Sequence, residues 1–278
     1  MAVKRITDIV PKLEISDYWE GPFDEALAAM KASMFSPVSL EQNIKLRLTE
    51  AKHQIVEAKQ PNAWESIPVF SRGNAVSECF VVVPFEGDRF VFITKIPLII
   101  ENSVDATNCH RRGHEYPLTK EQVSRALKEH VPIPRREHDT FTVIDDELNT
   151  IVIDPFANSY VFEHGNFYIK SPHLGKEYIS TYLFGPHAAA YGDLLTYIGI
   201  TRIQIGAVSF PSCRDAEGKE MPYARSVWLG DMSMSSSITY RCGLGGLKWD
   251  GDCNTRLRGY LDLAAKAKQL KPAKTAKT

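Results

Sequence analysis

The chain has 278 residues, of which 44% are hydrophobic and 24% are charged, and its formal net charge is -1. This composition is that of a globular protein with a sizeable core, and the near-zero charge excludes a polyanion binder that acts through its overall charge. The odd number of cysteines, five, indicates reduced thiols rather than a disulfide scaffold. The N-terminal sequence has no signal-peptide pattern, and the longest apolar runs are only strand-length. We therefore expect a soluble, cytoplasmic protein with no membrane partner.

Two amphipathic helices are predicted in the N-terminal part of the chain. The stretch "PFDEALAAMKASMF" (Pro22–Phe35) begins with a proline and two acids, as the first turn of a helix prefers. A second helix is predicted after Ser39, which can form a capping box with Gln42. Apolar residues at spacings of three and four give this helix one apolar face: Leu40, Ile44, Leu48, Ala51 and Ile55.

Strand signals follow. The runs "CFVVV" and "FVFIT" flank "PFEGDR" and predict a hairpin of buried strands. Thr119 and Gln122 then predict a capped short helix that extends to about Val131. The segment 132–139, "PIPRREHD", has the prolines and charges of a linker and is the best candidate for a boundary.

The second half of the chain predicts a meander of short strands over residues 140–170, separated by turn residues. "GPHAAAYGDLLTYIGI" predicts a helix that ends at Gly199. The stretches "ITRIQIGAVSF", "YARSVWL" and "SSITYRC" predict further strands. Asn254 is then expected to cap a last helix, with Leu257, Leu261 and Ala264 or Ala265 facing inward.

These elements together predict an α+β fold, namely a mainly antiparallel sheet with N-terminal and C-terminal helices packed on it. We expect a single domain over residues 1–265, with a possible sub-boundary near 132–139. Residues 266–278, "KAKQLKPAKTAKT", contain five lysines and no acids. Such a composition is typical of a disordered basic tail.

One stretch combines several chemically useful side chains, "NCHRRGH" at residues 108–114. Cys109 and His114 have a spacing found in some zinc knuckles, but a four-ligand site would also need Cys242 and Cys253 from a distant segment. The paired C-x2-C spacings of strong zinc motifs are absent. We therefore regard zinc as a weak alternative and expect no cofactor.

Anion binding is a better functional interpretation of the same stretch than zinc, although a polar connecting loop is favoured over both. Arg111, Arg112 and His114 could hold a phosphate or carboxylate by charge-assisted hydrogen bonds. A second arginine pair, Arg135 and Arg136, follows the predicted short helix and could lie on the same face. The simpler alternative is that both pairs are solvated loop charges.

Catalytic candidates are fewer. Cys213, at the end of a predicted strand, could act as a nucleophile if His187 or His173 served as its base. His187 lies at a predicted helix start, and His110 and His114 are further residues to test for a catalytic role. Each of these residues also has a plain structural interpretation, as a small core residue, a helix cap or a loop residue.

Three functions remain open. The first is a binding or assembly protein that contacts an anionic partner, either nucleic acid or an acidic protein, through the arginine pairs and the lysine-rich tail. The second is a hydrolase or transferase that acts on a phosphorylated or otherwise anionic small substrate. The third is a homo-oligomeric structural subunit. The sequence favours the first, because no catalytic motif is present and the tail is uniformly basic.

Overall fold

The computed structural model describes residues 3–7, 16–58, 73–85, 88–101, 115–135, 139–144, 150–154, 158–163, 166–205, 212–230, 243–246 and 255–261. These residues form a mixed α and β structure in which strands predominate, so the predicted α and β content is confirmed. Within these ranges no helix has both the length and the apolar character needed to cross a membrane.

Most of the described strands belong to one β-sheet. The strands are β1 (Lys4–Thr7), β2 (Ser16–Gly21), β3 (Phe35–Pro37), β4 (Asn74–Phe85), β5 (Asp88–Thr94), β6 (Tyr116–Pro117), β7 (His130–Pro132), β8 (Phe141–Ile144), β9 (Thr150–Ile153), β10 (Tyr160–Glu163), β11 (Asn166–Lys170), β12 (Arg202–Ile205), β13 (Cys213–Arg214), β14 (Glu220–Met221), β15 (Tyr223–Gly230), β16 (Gly243–Gly246) and β17 (Thr255–Leu261). Thirteen of them form one sheet in the order β1-β2-β17-β4-β15-β16-β12-β11-β10, with β3 on β17, β6 on β15, and β5 then β7 beside β4. Strands β8 and β9, and β13 and β14, form separate two-stranded hairpins.

The described strand pairs are antiparallel with two exceptions, β12 with β16 and β17 with β4. The predicted hairpin is the β4–β5 pair, in which Phe85 lies opposite Asp88. The predicted meander corresponds to the hairpins β8–β9 and β10–β11. The stretch "SSITYRC" lies outside the described residues.

The described helices are α1 (Phe23–Ala32), α2 (Leu40–Ala58), α3 (Leu98–Glu101), α4 (Lys120–Ala126), α5 (Tyr178–Phe184) and α6 (Ala188–Tyr197). Both predicted capping boxes are present. The backbone N–H of Gln42 donates to Ser39 Oγ at 3.2 Å, and that of Gln122 donates to Thr119 Oγ1 at 3.2 Å. Helix α4 ends at Ala126, earlier than predicted, because Val131 belongs to strand β7 and pairs with Ile93 of β5.

Helices cover both faces of the central strands. On one face, α2, α5 and α6 pack on a core that includes Val82 and Val91. On the other face, α1, α3 and α4 pack on a core that includes Val81 and Phe92. Burial on both sides explains why β4 and β5 are almost continuously apolar rather than alternating.

The predicted C-terminal helix is wrong for the residues that the structure describes, since residues 255–261 form strand β17. This strand lies between β2 and β4, with Leu257 opposite both Trp19 and Ala75. Alternation explains the strand, because Leu257 enters the core beneath α1 while Arg258 points to the other face and pairs with Glu50 of α2. The spacing of Leu257 and Leu261 fits a helix equally well, which is why the sequence pattern misled.

One end of the sheet brings together chain segments that are far apart in sequence. Tyr223 of β15 lies opposite Pro117 of β6 on one side and Val82 of β4 on the other, and Val82 in turn lies opposite Val91 of β5. The backbone N–H of Ile133, just after β7, donates to the carbonyl of Val91 at 2.9 Å. The start of β5, the end of β6 and the end of β7 therefore meet at this end.

Candidate functional site

Most residues that the sequence singles out lie outside the described ranges, and the predictions that rest on them stay predictions. They are Cys109, His110, Arg111, Arg112, His114, Arg136, Cys242, Cys253 and the tail, residues 266–278. Arg135, His187 and Cys213 lie within the described ranges. Among the described residues, no three His, Cys, Asp or Glu side chains are grouped so as to hold a metal ion.

Arg135 lies beside the β4–β5 turn at the end of the sheet. Its Nη1 donates to Asp88 Oδ1 at 3.1 Å and to the Arg89 carbonyl at 3.5 Å, and its backbone N–H donates to Asp139 Oδ2 at 2.8 Å. The side chain of Arg135 is 34% exposed. A guanidinium has five N–H donors on three nitrogens, and the side-chain contacts to Asp88 and Arg89 within the described ranges use Nη1.

A second group of donors surrounds the carboxylate of Glu220. Ser212 Oγ donates to Glu220 Oε1 at 2.6 Å, and Arg214 Nη2 lies 3.3 Å from the same oxygen. Arg89 Nη2 lies 3.6 Å from that oxygen and donates to Ser212 Oγ. We call Arg89, Ser212 and Arg214 the hairpin cradle, because two of its members lie on or beside β13.

Electrostatics agree with this geometry. The hydrogen bond from Ser212, together with the charges of Arg89 and Arg214, holds the pKa of the Glu220 carboxyl below its ordinary value. Glu220 is therefore ionised at neutral pH. The cradle thus already stabilises one negative oxygen.

A buried ion pair lies on β15, the strand that follows the β13–β14 hairpin. Arg225 Nη2 is 2.5 Å from Glu115 Oε1, and the two side chains are only 5% and 12% exposed. Glu115 directly precedes β6, and the register of β6 on β15 brings it opposite Arg225. Glu115 is also the first described residue after the stretch that contains Arg111 and Arg112.

Tyr223 connects the ion pair to the cradle. Its ring centroid lies 5.9 Å from the Arg225 guanidinium. Burial raises the pKa of the Tyr223 hydroxyl, and the nearby groups modify this effect in both directions. Arg225 and Arg89 lower it, whereas Glu115 and Cys213 raise it. All four residues therefore influence the pKa of one hydroxyl.

Together these residues form what we call the sheet-end cluster. Its charged members are Arg89, Arg135, Arg214 and Arg225, and Asp88, Glu115, Asp139 and Glu220. The four arginines are matched by four carboxylates, so this cluster has no formal excess of positive charge. It can orient an anionic group, but additional cations are needed to attract one over a distance.

Cys213 faces away from the cradle. It pairs with Met221 in the β13–β14 hairpin, and its half-buried side chain packs against the larger core. Side chains alternate along a strand, so Ser212 and Arg214 share the Glu220 side while Cys213 takes the other. This arrangement favours a packing role for Cys213 over that of a nucleophile.

The candidate bases for Cys213 have other positions. His173 Nδ1 lies 2.9 Å from Ser159 Oγ, at the start of β10. His187 directly precedes α6 and is half-buried, but its side chain makes no capping hydrogen bond there. Within the part of the chain that the structure describes, neither arrangement pairs a nucleophile with a base, and the catalytic predictions for His187 and Cys213 stay predictions.

Sequence reasoning missed Arg89, Ser212, Glu220, Glu115 and Arg225. A local signal existed for one pair only, because Arg214 and Glu220 flank the turn sequence "DAEGK", where opposite charges would face each other across a hairpin. Arg89 and Ser212 are 123 residues apart, and Arg225 and Glu115 are 110 apart. Those contacts depend on tertiary structure alone.

Comparisons with known proteins do not identify a family. No family model matches the chain, and no curated protein matches it. A solved structure described as "Accommodation of massive sequence variation in Nanoarchaeota by the C-type lectin fold" is similar with a TM-score of 0.49 and 13% sequence identity. That similarity covers 90% of this chain and 99% of the other, and it is too low to assign a fold family or a function.

Proposed function

We propose that this is a binding or assembly protein that contacts an anionic partner, nucleic acid or an acidic protein, through its arginine pairs and lysine-rich tail. The observation that carries the proposal is the sheet-end cluster. It contains Arg135, and it also contains Glu115, which follows Arg112 by three residues. Both arginine pairs are thus joined in sequence to the same end of the sheet.

The charge distribution supports different roles in binding for the sheet-end cluster and the tail. The tail carries five lysines and no acids, so residues 1–265 have a formal net charge of -6 in a chain whose total is -1. The cluster itself is balanced. Long-range attraction of an anionic partner is therefore assigned to the tail and to Arg111, Arg112 and Arg136, while the cluster supplies fixed donors at short range.

The tail is tested by replacing its five lysines with glutamine in the full chain. Binding of labelled oligothymidylate and of labelled oligoglutamate is measured by fluorescence anisotropy over a range of sodium chloride concentrations. We expect affinity for the bound probe to fall and its salt dependence to flatten, by about 3 to 4 in the slope of log K if every lysine contacts a phosphate.

The matched control changes the net charge by the same amount elsewhere. Five exposed lysines outside the tail are replaced with glutamine: Lys31, Lys52, Lys120, Lys128 and Lys219. We expect a much smaller loss of affinity than in the tail variant. Equal losses in the two variants, or no binding of either probe by the unmodified chain at low salt, would show that the proposal is wrong.

A further inference from the structure

The hairpin cradle has the geometry of a ligand site, but its present occupant belongs to the same chain. Three donors converge on one oxygen, with Ser212 Oγ at 2.6 Å, Arg214 Nη2 at 3.3 Å and Arg89 Nη2 at 3.6 Å from Glu220 Oε1. Arg89 further orients Ser212 by donating to its hydroxyl. Hydroxyl and guanidinium donors in this arrangement are what a carboxylate ligand requires.

The contacts that hold the Glu220 side chain in the hairpin cradle are accessible to water. The side chain of Glu220 is 32% exposed, and those of Arg89 and Arg214 are 21% and 58% exposed. An ion pair with this exposure contributes little net free energy, because water can replace each partner. Breaking the Glu220 contacts therefore costs the protein little, whereas the donors remain in place.

The scaffold around the cradle keeps those donors in position without Glu220. Arg214 Nη1 donates to the carbonyl of Gly218 at 2.7 Å across the hairpin turn. Asp215 Oδ1 accepts from the backbone N–H groups of Glu217 and Lys219 at 3.1 and 2.8 Å, which fixes the turn itself. The hairpin is thus held by contacts that do not involve the Glu220 side chain.

We infer that Arg89, Ser212 and Arg214 form a binding site for a carboxylate side chain of an acidic protein partner, and that Glu220 occupies this site in the free protein and is displaced on binding. This inference rests on the proposed function, of which it specifies the partner and the regulation. Glu220 acts as an internal competitor, so the affinity for the partner is lowered by the fraction of time that Glu220 fills the cradle.

The surrounding charges favour a carboxylate over a nucleic-acid backbone. Exchange of one carboxylate for another leaves the charge in the cradle unchanged. The hairpin, residues 212–221, has Arg214 and Lys219 against Asp215, Glu217 and Glu220, and thus a formal charge of -1. The cradle is already matched to the size and charge of a carboxylate, because Glu220 occupies it, whereas a phosphodiester is larger and carries its charge within the nucleic-acid backbone.

The test compares two variants with the same change in net charge. Glu220→Gln weakens the internal competitor, and Glu217→Gln alters an exposed glutamate of the same hairpin that lies outside the cradle. Affinity of the full chain for labelled oligoglutamate and for labelled oligothymidylate is measured for both. We expect Glu220→Gln to bind oligoglutamate about threefold more tightly than Glu217→Gln, as the loss of an exposed ion pair predicts.

Further variants confirm that the cradle is responsible. Arg89→Lys and Ser212→Ala should each weaken oligoglutamate binding and abolish the gain produced by Glu220→Gln. Thermal unfolding of each variant establishes that it is folded at the temperature of the binding measurement. Arg89→Lys keeps the charge and loses the fork of donors, so its effect separates hydrogen-bond geometry from charge alone.

The outcomes are distinguishable. Equal affinity of Glu220→Gln and Glu217→Gln, or weaker binding by Glu220→Gln, would overturn the inference and show that Glu220 is a structural support. An equal or larger gain for oligothymidylate would overturn the assignment to carboxylates. If the tail lysines are needed for binding but Glu220→Gln has no effect, the proposed function stands and only this inference fails. If no variant binds either probe, both fail.

Discussion

Arg258 in β17 forms an ion pair with Glu50 in α2, and their side chains are 0% and 6% exposed. Ser16 of β2 lies between them, accepting from Arg258 Nη2 at 2.8 Å and donating to Glu50 Oε1 at 3.4 Å. The two charged residues are 208 positions apart in sequence. The pair thus joins the second helix to the last described strand through the interior of the protein.

Removal of one partner of this pair should be strongly destabilising. Arg258→Met leaves a buried carboxylate without its counter-charge, and we expect the free energy of unfolding to fall by about 3 to 5 kcal/mol. Urea denaturation followed by circular dichroism measures this change. Arg125→Ala is the comparison, because Arg125 pairs with Glu101 on the surface, and its loss should cost no more than about 1 kcal/mol.

A double variant sharpens that prediction. Replacing both Arg258 by Met and Glu50 by Leu removes the buried charges together, so most of the stability lost in Arg258→Met should return. If the double variant is less stable than Arg258→Met alone, the pair has a role beyond mutual neutralisation.

Stability should depend on pH through Glu78. Its carboxylate is 3% exposed and accepts from the backbone N–H of Leu40, the first residue of α2, with both oxygens at 2.9 Å. Burial raises the pKa of Glu78 to about 7, although the hydrogen bonds from Leu40 and Ser77 and the charge of Lys95 oppose this shift. The folded protein therefore holds this proton more tightly than the unfolded chain does.

The sign of the effect follows from that difference. Between the unfolded pKa of about 4.5 and the folded value of about 7, the folded state binds more protons, so this group's contribution to stability falls as pH rises. The expected loss across this range is about 3 kcal/mol. Glu78→Gln removes the titration, so the stability difference between this variant and the unmodified protein should change by that amount between pH 4.5 and 8. A difference that stays constant with pH would contradict the prediction.

Gly259 should not tolerate a side chain. A Cβ at this position would lie 2.6 Å from Trp19 Cζ3 and 2.9 Å from both Met30 Sδ and Phe35 Cβ. We expect Gly259→Ala to lower the free energy of unfolding by about 1 to 3 kcal/mol through overpacking beneath α1. Gly218→Ala, in open space at a φ of 80°, should cost only the backbone strain of about 1 kcal/mol.

The buried pair of the sheet-end cluster gives a prediction that joins stability to binding. Glu115→Gln removes the carboxylate charge that pairs with the buried Arg225, and we expect a loss of about 3 kcal/mol in unfolding free energy. Asp88→Asn, at the exposed Arg135 pair, should lose no more than about 1 kcal/mol. If Glu115 orients the chain that precedes it, Glu115→Gln should also weaken anion binding at temperatures where it is fully folded. Unchanged affinity would separate the buried pair from the proposed function.

Local signals in the sequence predicted local structure well. The capping residues Ser39 and Thr119 mark real helix starts, and the apolar runs on either side of residues 86–87 form the β4–β5 hairpin. These features depend on hydrogen bonds or pairings between residues that are close in the chain, so the sequence contains the information needed.

The predictions from the sequence fail where the residues that pair are far apart in the chain. Residues 255–261 become a strand because they pair with β2 and β4, whose residues lie more than 180 positions earlier, and the local pattern around Leu257 fits both a strand and a helix. The same limit applies to the site. Arg135 could be identified as a candidate site residue because it belongs to an arginine pair. Arg89 becomes a candidate only through its contacts with Ser212 and Glu220, which are distant in sequence and close in the fold. The single-domain boundary and the three proposed functions remain predictions.

The central place of β17 has a consequence for biogenesis. Strand β2 on one side of β17, and strands β3 and β4 on the other, find this partner only after some 250 residues have been synthesised. During translation the N-terminal third of the protein therefore presents exposed strand edges, which are templates for intermolecular pairing. Folding of this N-terminal third is therefore completed only after β17 has been synthesised. It is slowed by the long loop that must be closed, and it is sensitive to any premature stop before residue 255.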